Sequence, residues 1–190
     1  LLADMPADAK VGAGMTEVLA YLGGSLNKPF ELEVAGASPE AIRLALLSGY
    51  LASRKSAGLP ASFQSLLDAS PVVAMDQSKT IEARSIAVKL MARLPWERAG
   101  LPLLKLALDE SSPDLAAASL KAVVAYPKED VSASLLAGWS RYTPARRDAV
   151  LGALLGVPFH VKGVLTAVEA KRLPASAFTG VRRRQVLAAK

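Results

Sequence analysis

The chain has 190 residues, 52% of them hydrophobic and 21% charged, with a formal net charge of +6; it can bury a core, which excludes disorder as its default state. With no Cys and a single histidine, His160, it has no disulfide framework, thiolate zinc site, Cys nucleophile, haem attachment or two-His metal motif. Aromatics are 5%, and Ala with Leu make up about a third of the residues, which favours closely packed helices over β-structure.

Residues 1–36 read as an irregular segment with one short helix. Thr16-Glu17 starts it, Met15, Val18, Leu19 and Leu22 give it an apolar side, and Gly23-Gly24 stops it. Pro29 to Val34 alternates apolar and acidic residues, as a short strand or an extended linker would. The start at Leu1, with neither an initiator Met nor a signal pattern, reads as a piece of something larger.

Residues 37–190 are expected to form a helical repeat domain. Ser38-Pro39-Glu40 supplies an N-cap, a first-turn Pro and an acid, and predicts a helix of about 17 residues before Gly58, with Ile42, Ala45, Leu46, Gly49 and Tyr50 on one side. Phe63 to Leu67 predicts a shorter helix ending before Ser70-Pro71. Further helices are expected at 78–93, 97–109, 114–125, 129–141, 144–155, 159–171 and 176–189. No apolar run reaches the ~18 residues of a membrane span; the longest, Ala149 to Phe159, is broken by Gly152, Gly156 and Pro158.

The joints recur. Leu94-Pro95, Tyr126-Pro127 and Val157-Pro158 are 32 and then 31 residues apart, and Ser112-Pro113 and Thr143-Pro144 are 31 apart. The unit is an A-type helix after the Ser/Thr-Pro joint, then a tight turn and a B-type helix. A pair that cannot hide its apolar stripe alone must stack on the next, which makes an α-solenoid. The Trp-Leu-Gly-Tyr framework of a TPR and the Thr-Pro-Leu-His of an ankyrin repeat are both missing. The expected fold is therefore all-α and HEAT-like, a right-handed superhelix of stacked antiparallel helix pairs.

Charge is uneven. Residues 141–190 hold ten Lys or Arg against Asp148 and Glu169, whereas residues 1–140 hold thirteen bases and fifteen acids. A basic end on a near-neutral body attracts an acidic protein surface, a polyanion or anionic lipid. The plain alternative is a solvated surface whose acidic complement lies in a neighbouring domain.

The run from Pro113 to Arg147, with Tyr126-Pro127, Leu135-Leu136, Trp139 and Thr143-Pro144-Ala145-Arg146-Arg147, resembles part of a group of large bacterial proteins. The close at Val181-Arg182-Arg183-Arg184-Gln185-Val186-Leu187 resembles it too. These are the membrane-bound dehydrogenase or haem-binding type proteins, which join a propeller, HEAT-like helices and a C-terminal cytochrome c domain. The resemblance spans residues 77–190 and consists of composition and joints. It implies a periplasmic or exported location, and a helical module between a sugar-oxidase-like propeller and a haem domain. Cys-x-x-Cys-His is absent from this chain, so no cofactor is assigned to any residue.

Catalytic patterns are missing. His160, in the first turn of a helix, reads as a partly exposed side chain rather than a base. No Gly-x-Ser-x-Gly elbow and no phosphate-binding Gly-Lys-Ser/Thr loop occurs, and Gly12-Ala13-Gly14 lacks the third glycine of a dinucleotide fingerprint. The pairs Asp109-Glu110 and Glu129-Asp130, with Asp114, fall at helix ends, and the last three acids suit N-terminal first turns. Trp139, four residues after Leu135, reads as core, with a half-exposed stacking surface as the alternative. The chain is expected to be a non-enzyme with no catalytic, cofactor or metal residue. Two functions follow. The first is a scaffold that holds a neighbouring domain or an acidic partner through Arg141, Arg146, Arg147, Lys171, Arg172, Arg182, Arg183 and Arg184. In the setting the resemblance implies, the acidic surface is the cytochrome domain. The second is nucleic-acid binding by the same bases, against which stands the lack of interleaved aromatics other than Tyr142 and Phe178.

Overall fold

A computed structural model describes residues 61–109 and 111–188, with Leu44, Ala45, Leu47, Ser48 and Leu51; the expected elements of residues 1–36 lie outside the described residues. Every regular element among the described residues is helical. Eight α-helices follow one another: α1 (Ala61–Met75), α2 (Ile81–Met91), α3 (Trp96–Asp109), α4 (Pro113–Val123), α5 (Glu129–Ala137), α6 (Pro144–Leu155), α7 (Pro158–Glu169) and α8 (Gly180–Ala188). Short 3₁₀ turns stand at Trp139–Arg141 and Ala175–Ala177. The five earlier residues are helical as well, with Leu44 and Leu47 fully buried beside Ala45. Of the apolar side expected there, only Ala45 is among the described residues.

Three expected boundaries are corrected. The helix expected to stop before Ser70-Pro71 runs through it to Met75. Pro71 has no N–H for the Leu67 carbonyl four residues back, and the buried Ser70 hydroxyl donates to that carbonyl instead, at 2.7 Å. The helix expected over 129–141 ends at Ala137 and passes through Gly138 into a 3₁₀ turn. The last helix begins at Gly180 rather than 176, because the Pro174 link makes its own 3₁₀ turn first.

The capped starts hold. Ser112 Oγ accepts from Leu115 N at 3.5 Å and Thr143 Oγ1 from Arg146 N at 3.3 Å, each with Pro as the first helical residue. Thr80 Oγ1 accepts from Ala83 N at 3.2 Å in the same way, 32 residues before Ser112 and with Ile81 in place of the proline. A fourth start follows at Thr179, whose carbonyl accepts from Arg183 N at 2.9 Å, as the Thr143 carbonyl does from Arg147 N. So α2, α4, α6 and α8 are the A-type helices. The B-type helices share a proline joint but differ in register: α7 has Pro158 as its first residue, while α5 begins two residues after Pro127. Aligned by their N-caps, Lys128 and Val157, α5 and α7 are 29 residues apart.

The chain divides into two compact units, Leu1–Pro102 and Leu103–Lys190, with the boundary inside α3. In the first, α1 packs along α2, with Leu67, Val73 and Ala74 buried on one side and Ile86, Leu90 and Met91 on the other. In the second, α6 lies against α4, α5, α7 and α8, and α7 also lies against α5. A-type helices thus meet A-type helices, and B-type meet B-type. The core here is Leu115, Val123, Val131, Leu135, Val150, Leu151, Leu154 and Val164, all buried. Gly163 sets the approach of α7 to α5: a β-carbon there would stand 2.9 Å from Ser132 Cβ and closer still to its hydroxyl.

Candidate functional site

The second unit contains all eight of the bases singled out from sequence, and three of them are bound to their own chain. Arg147 donates from Nε to the Trp139 carbonyl and from Nη2 to the Ser140 carbonyl, both at 2.9 Å, with its guanidinium 5.8 Å from the Trp139 ring centre. Arg146 donates to the Ala107 carbonyl in the last turn of α3 and lies 5.6 Å from the centre of the Tyr142 ring. Arg182 pairs with Asp148 and donates to the Asp148 and Ala177 carbonyls, each at 3.2 Å. A helix C-terminus leaves carbonyls without N–H partners, and a guanidinium meets that need well. Arg146 and Arg147 thus bind carbonyls at the end of α3 and in the 3₁₀ turn after α5, and Arg182 ties the start of α8 to the preceding link and to Asp148 within α6.

Arg84 shows that this is a recurring device. It stands four residues after Thr80 as Arg147 does after Thr143, is buried, and donates from Nε to the Ala74 carbonyl at the end of α1, at 2.9 Å. The Thr-x-x-x-Arg spacing was the available sequence signal. Tyr142 adds to the same closure by donating its hydroxyl to the Leu135 carbonyl at 2.9 Å, its ring lying so close over Gly138 that a β-carbon there would stand 2.6 Å from it.

The remaining five, Arg141, Lys171, Arg172, Arg183 and Arg184, are exposed and make no side-chain hydrogen bond or ion pair with another described residue. Lys171 is the one described non-glycine residue with positive φ, at 56°. It closes α7 in a Schellman turn: Lys171 N donates to the Val168 carbonyl and Arg172 N to the Ala167 carbonyl, both at 2.9 Å. That turn sends Arg172 to the rim of a cleft of about 490 Å³ between α5 and α7, which Glu129, Phe159, Lys162 and Thr166 also line. Arg183 lines a second, apolar groove of about 360 Å³ with Leu165 and Val168 of α7 and Val186 and Leu187 of α8. Sequence reasoning missed Lys162, Phe159 and the groove leucines, because helical spacing gives the apolar face without telling which part of it is covered.

His160 is buried, not partly exposed as its first-turn position suggested. Its Nε2 donates to the Val124 carbonyl at the end of α4, 2.9 Å away, and the Phe159 ring meets the imidazole edge-on. That bond fixes the proton on Nε2 and leaves Nδ1 buried without a partner. The geometry is that of a core tie between helices. Trp139 is buried, as its spacing from Leu135 implied. Among the described residues no group of three His, Asp or Glu side chains gathers as a metal site, and no helix is long and apolar enough to cross a membrane.

No family model, curated protein or solved structure matches the chain.

Proposed function

We propose that the chain is a non-catalytic interaction module, HEAT-like and solenoid in architecture with a right-handed superhelix, whose second unit docks an acidic protein surface. One observation carries the reading. The second unit holds thirteen Lys or Arg against seven Asp or Glu, a net +6, while the first holds ten of each. The excess is available to a partner: Arg141, Lys171, Arg172, Arg183 and Arg184, with Lys162, are exposed and make no side-chain hydrogen bond or ion pair among the described residues. The meeting of A-type with A-type and B-type with B-type helices in the second unit supports the stacked-pair architecture. In the dehydrogenase-type setting, the acidic surface belongs to a neighbouring cytochrome c domain, and the module orients it.

The test is binding to immobilised poly-L-glutamate at salt concentrations from ~50 to ~300 mM. Affinity falls steeply with salt, and the triple variant Arg141→Glu, Arg172→Glu, Arg184→Glu binds about tenfold more weakly or worse. Reversal of the exposed Arg93 in the first unit leaves it within about twofold. Binding that ignores salt or the triple reversal overturns the proposal. Tighter binding to duplex DNA than to poly-L-glutamate at ~50 mM salt replaces it with the nucleic-acid alternative.

A further inference from the structure

The groove between α7 and α8 has a covered counterpart one repeat earlier. With α7 aligned on α5 by their N-caps, His160, Val161 and Val164 match Val131, Ser132 and Leu135, and all six are buried. The next match fails. Leu136 is 5% exposed, whereas its equivalent Leu165 is 40% exposed. With α8 aligned on α6 by Thr179 and Thr143, Arg183 falls on Arg147, Val186 on Val150 and Leu187 on Leu151. Leu151 is 0% exposed and Leu187 is 71% exposed. The residues that lose their cover are the ones that line the groove, together with Ala175 and Phe178 of the link.

What covers the earlier position is known. α7, a B-type helix, lies against both the preceding B-type helix, α5, and its own A-type helix, α6. Among the described residues the groove between α7 and α8 repeats that corner one step on and stands open, so it suits a helix with an apolar stripe at three- and four-residue spacing. Charge narrows the occupant. Arg183 lines the groove, Arg184 and Arg172 are exposed nearby in sequence, and the unit as a whole is +6, so a second copy of this surface would bring like charge to like.

We infer that the α7–α8 groove is a docking seat for an amphipathic helix of a partner protein, apolar toward Leu165, Val186 and Leu187 and acidic along the flank that meets Arg183. This deepens the interaction reading and rests on it.

The probe is a synthetic helical peptide of about 18 residues, with Leu and Val at helical spacing and Glu on one flank, titrated into the 190-residue protein and followed by fluorescence anisotropy. Two control peptides keep the composition: one scrambles the apolar spacing, the other replaces Glu with Lys. Saturable binding is expected for the first peptide, with both controls at least about tenfold weaker. Leu187→Asp and Leu165→Asp, exposed positions whose substitution keeps the fold by circular dichroism, each weaken binding about tenfold, and Arg183→Glu weakens it for the acidic peptide alone. Equal binding of the scrambled peptide, or indifference to Leu187→Asp in a folded variant, overturns the inference. So does a dimer of the free protein in sedimentation that Leu187→Asp dissolves, since the occupant is then a second copy. Loss of peptide binding with salt-dependent poly-L-glutamate binding intact sinks the groove assignment alone; loss of both sinks the interaction reading beneath it.

Discussion

The two units use the same device and differ in what they leave unused. In the first, Arg84 closes the end of α1 through the Ala74 carbonyl, and Arg98 joins Asp68 at 2.6 Å while donating to its carbonyl at 3.0 Å. In the second, Arg146 binds the Ala107 carbonyl in the last turn of α3, Arg147 the carbonyls of the 3₁₀ turn after α5, and Arg182 the Ala177 carbonyl of the link and the Asp148 carbonyl within α6. The first unit balances ten bases with ten acids; the second holds six more bases than acids. Among the described residues Arg84, Arg98, Arg146, Arg147 and Arg182 are structural, and the exposed bases of the second unit are the candidates for recognition. Arg84 and Arg147 stand four residues after a capping threonine and are bonded within the chain, whereas Arg183, four residues after Thr179, is exposed and lines the open groove, so this spacing alone does not separate the two roles.

The largest expected difference lies between two leucines, Leu151 and Leu187. Leu151→Ala opens a cavity in a closed core and is expected to destabilise by about 3 kcal/mol, while Leu187→Ala changes stability by less than about 0.5 kcal/mol, both read from urea unfolding. Equal losses would mean that α8 is not an uncovered copy of α6. Next in size, Arg84→Met strands the buried Ala74 carbonyl and is expected to destabilise by about 2–3 kcal/mol, and the less buried Arg147→Met by about 1–2 kcal/mol. Arg184→Met, in contrast, stays within about 0.5 kcal/mol by the same unfolding measurement. A smaller effect of opposite sign is expected at Lys171, where glycine relieves the positive φ: Lys171→Gly raises stability by about 1 kcal/mol. A neutral or destabilising result there would show the lysine side chain to be held by contacts.

The smallest effect belongs to the first unit and to acid. The Arg98 guanidinium bonded to Asp68 holds its carboxyl below the ordinary value, with Gln64 assisting, and the Ser78 hydroxyl and amide do the same for Asp76. Lowered folded values mean a stability contribution that is present above the ordinary carboxylate range and is lost as pH falls through the folded values. The double variant Asp68→Asn, Asp76→Asn therefore loses less stability than the parent as pH falls below the ordinary carboxylate range. An unchanged acid limb in unfolding titrations would show that neither carboxylate keeps its partner in solution.

The helix pairs were legible because joints are local. Ser112-Pro113 and Thr143-Pro144 carry their cap and first-turn proline in adjacent residues, and the structure bears both out. Thr80 escaped the pattern because Ile81 replaces the proline, although the cap bond is the same. Pro71 misled because the compensating Ser70 hydroxyl is a contact and not a composition. The site was less legible for a physical reason. Charge is visible in a sequence, but whether Arg146 or Arg184 is already satisfied depends on a carbonyl tens of residues away. The same holds for the apolar groove: Leu151 and Leu187 are one residue type at equivalent helical positions, and the helices packed around α6, α7 among them, distinguish the two. His160 was misjudged likewise, since its partner is the Val124 carbonyl, 36 residues back.

The most direct test of the account is amide hydrogen exchange on the 190-residue protein with and without the acidic amphipathic peptide. Binding to the seat predicts added protection in α7, α8 and the link between them, absent from α1 and α2 and abolished by Leu187→Asp. Protection spread evenly over both units, or confined to the α5–α7 cleft, would contradict it.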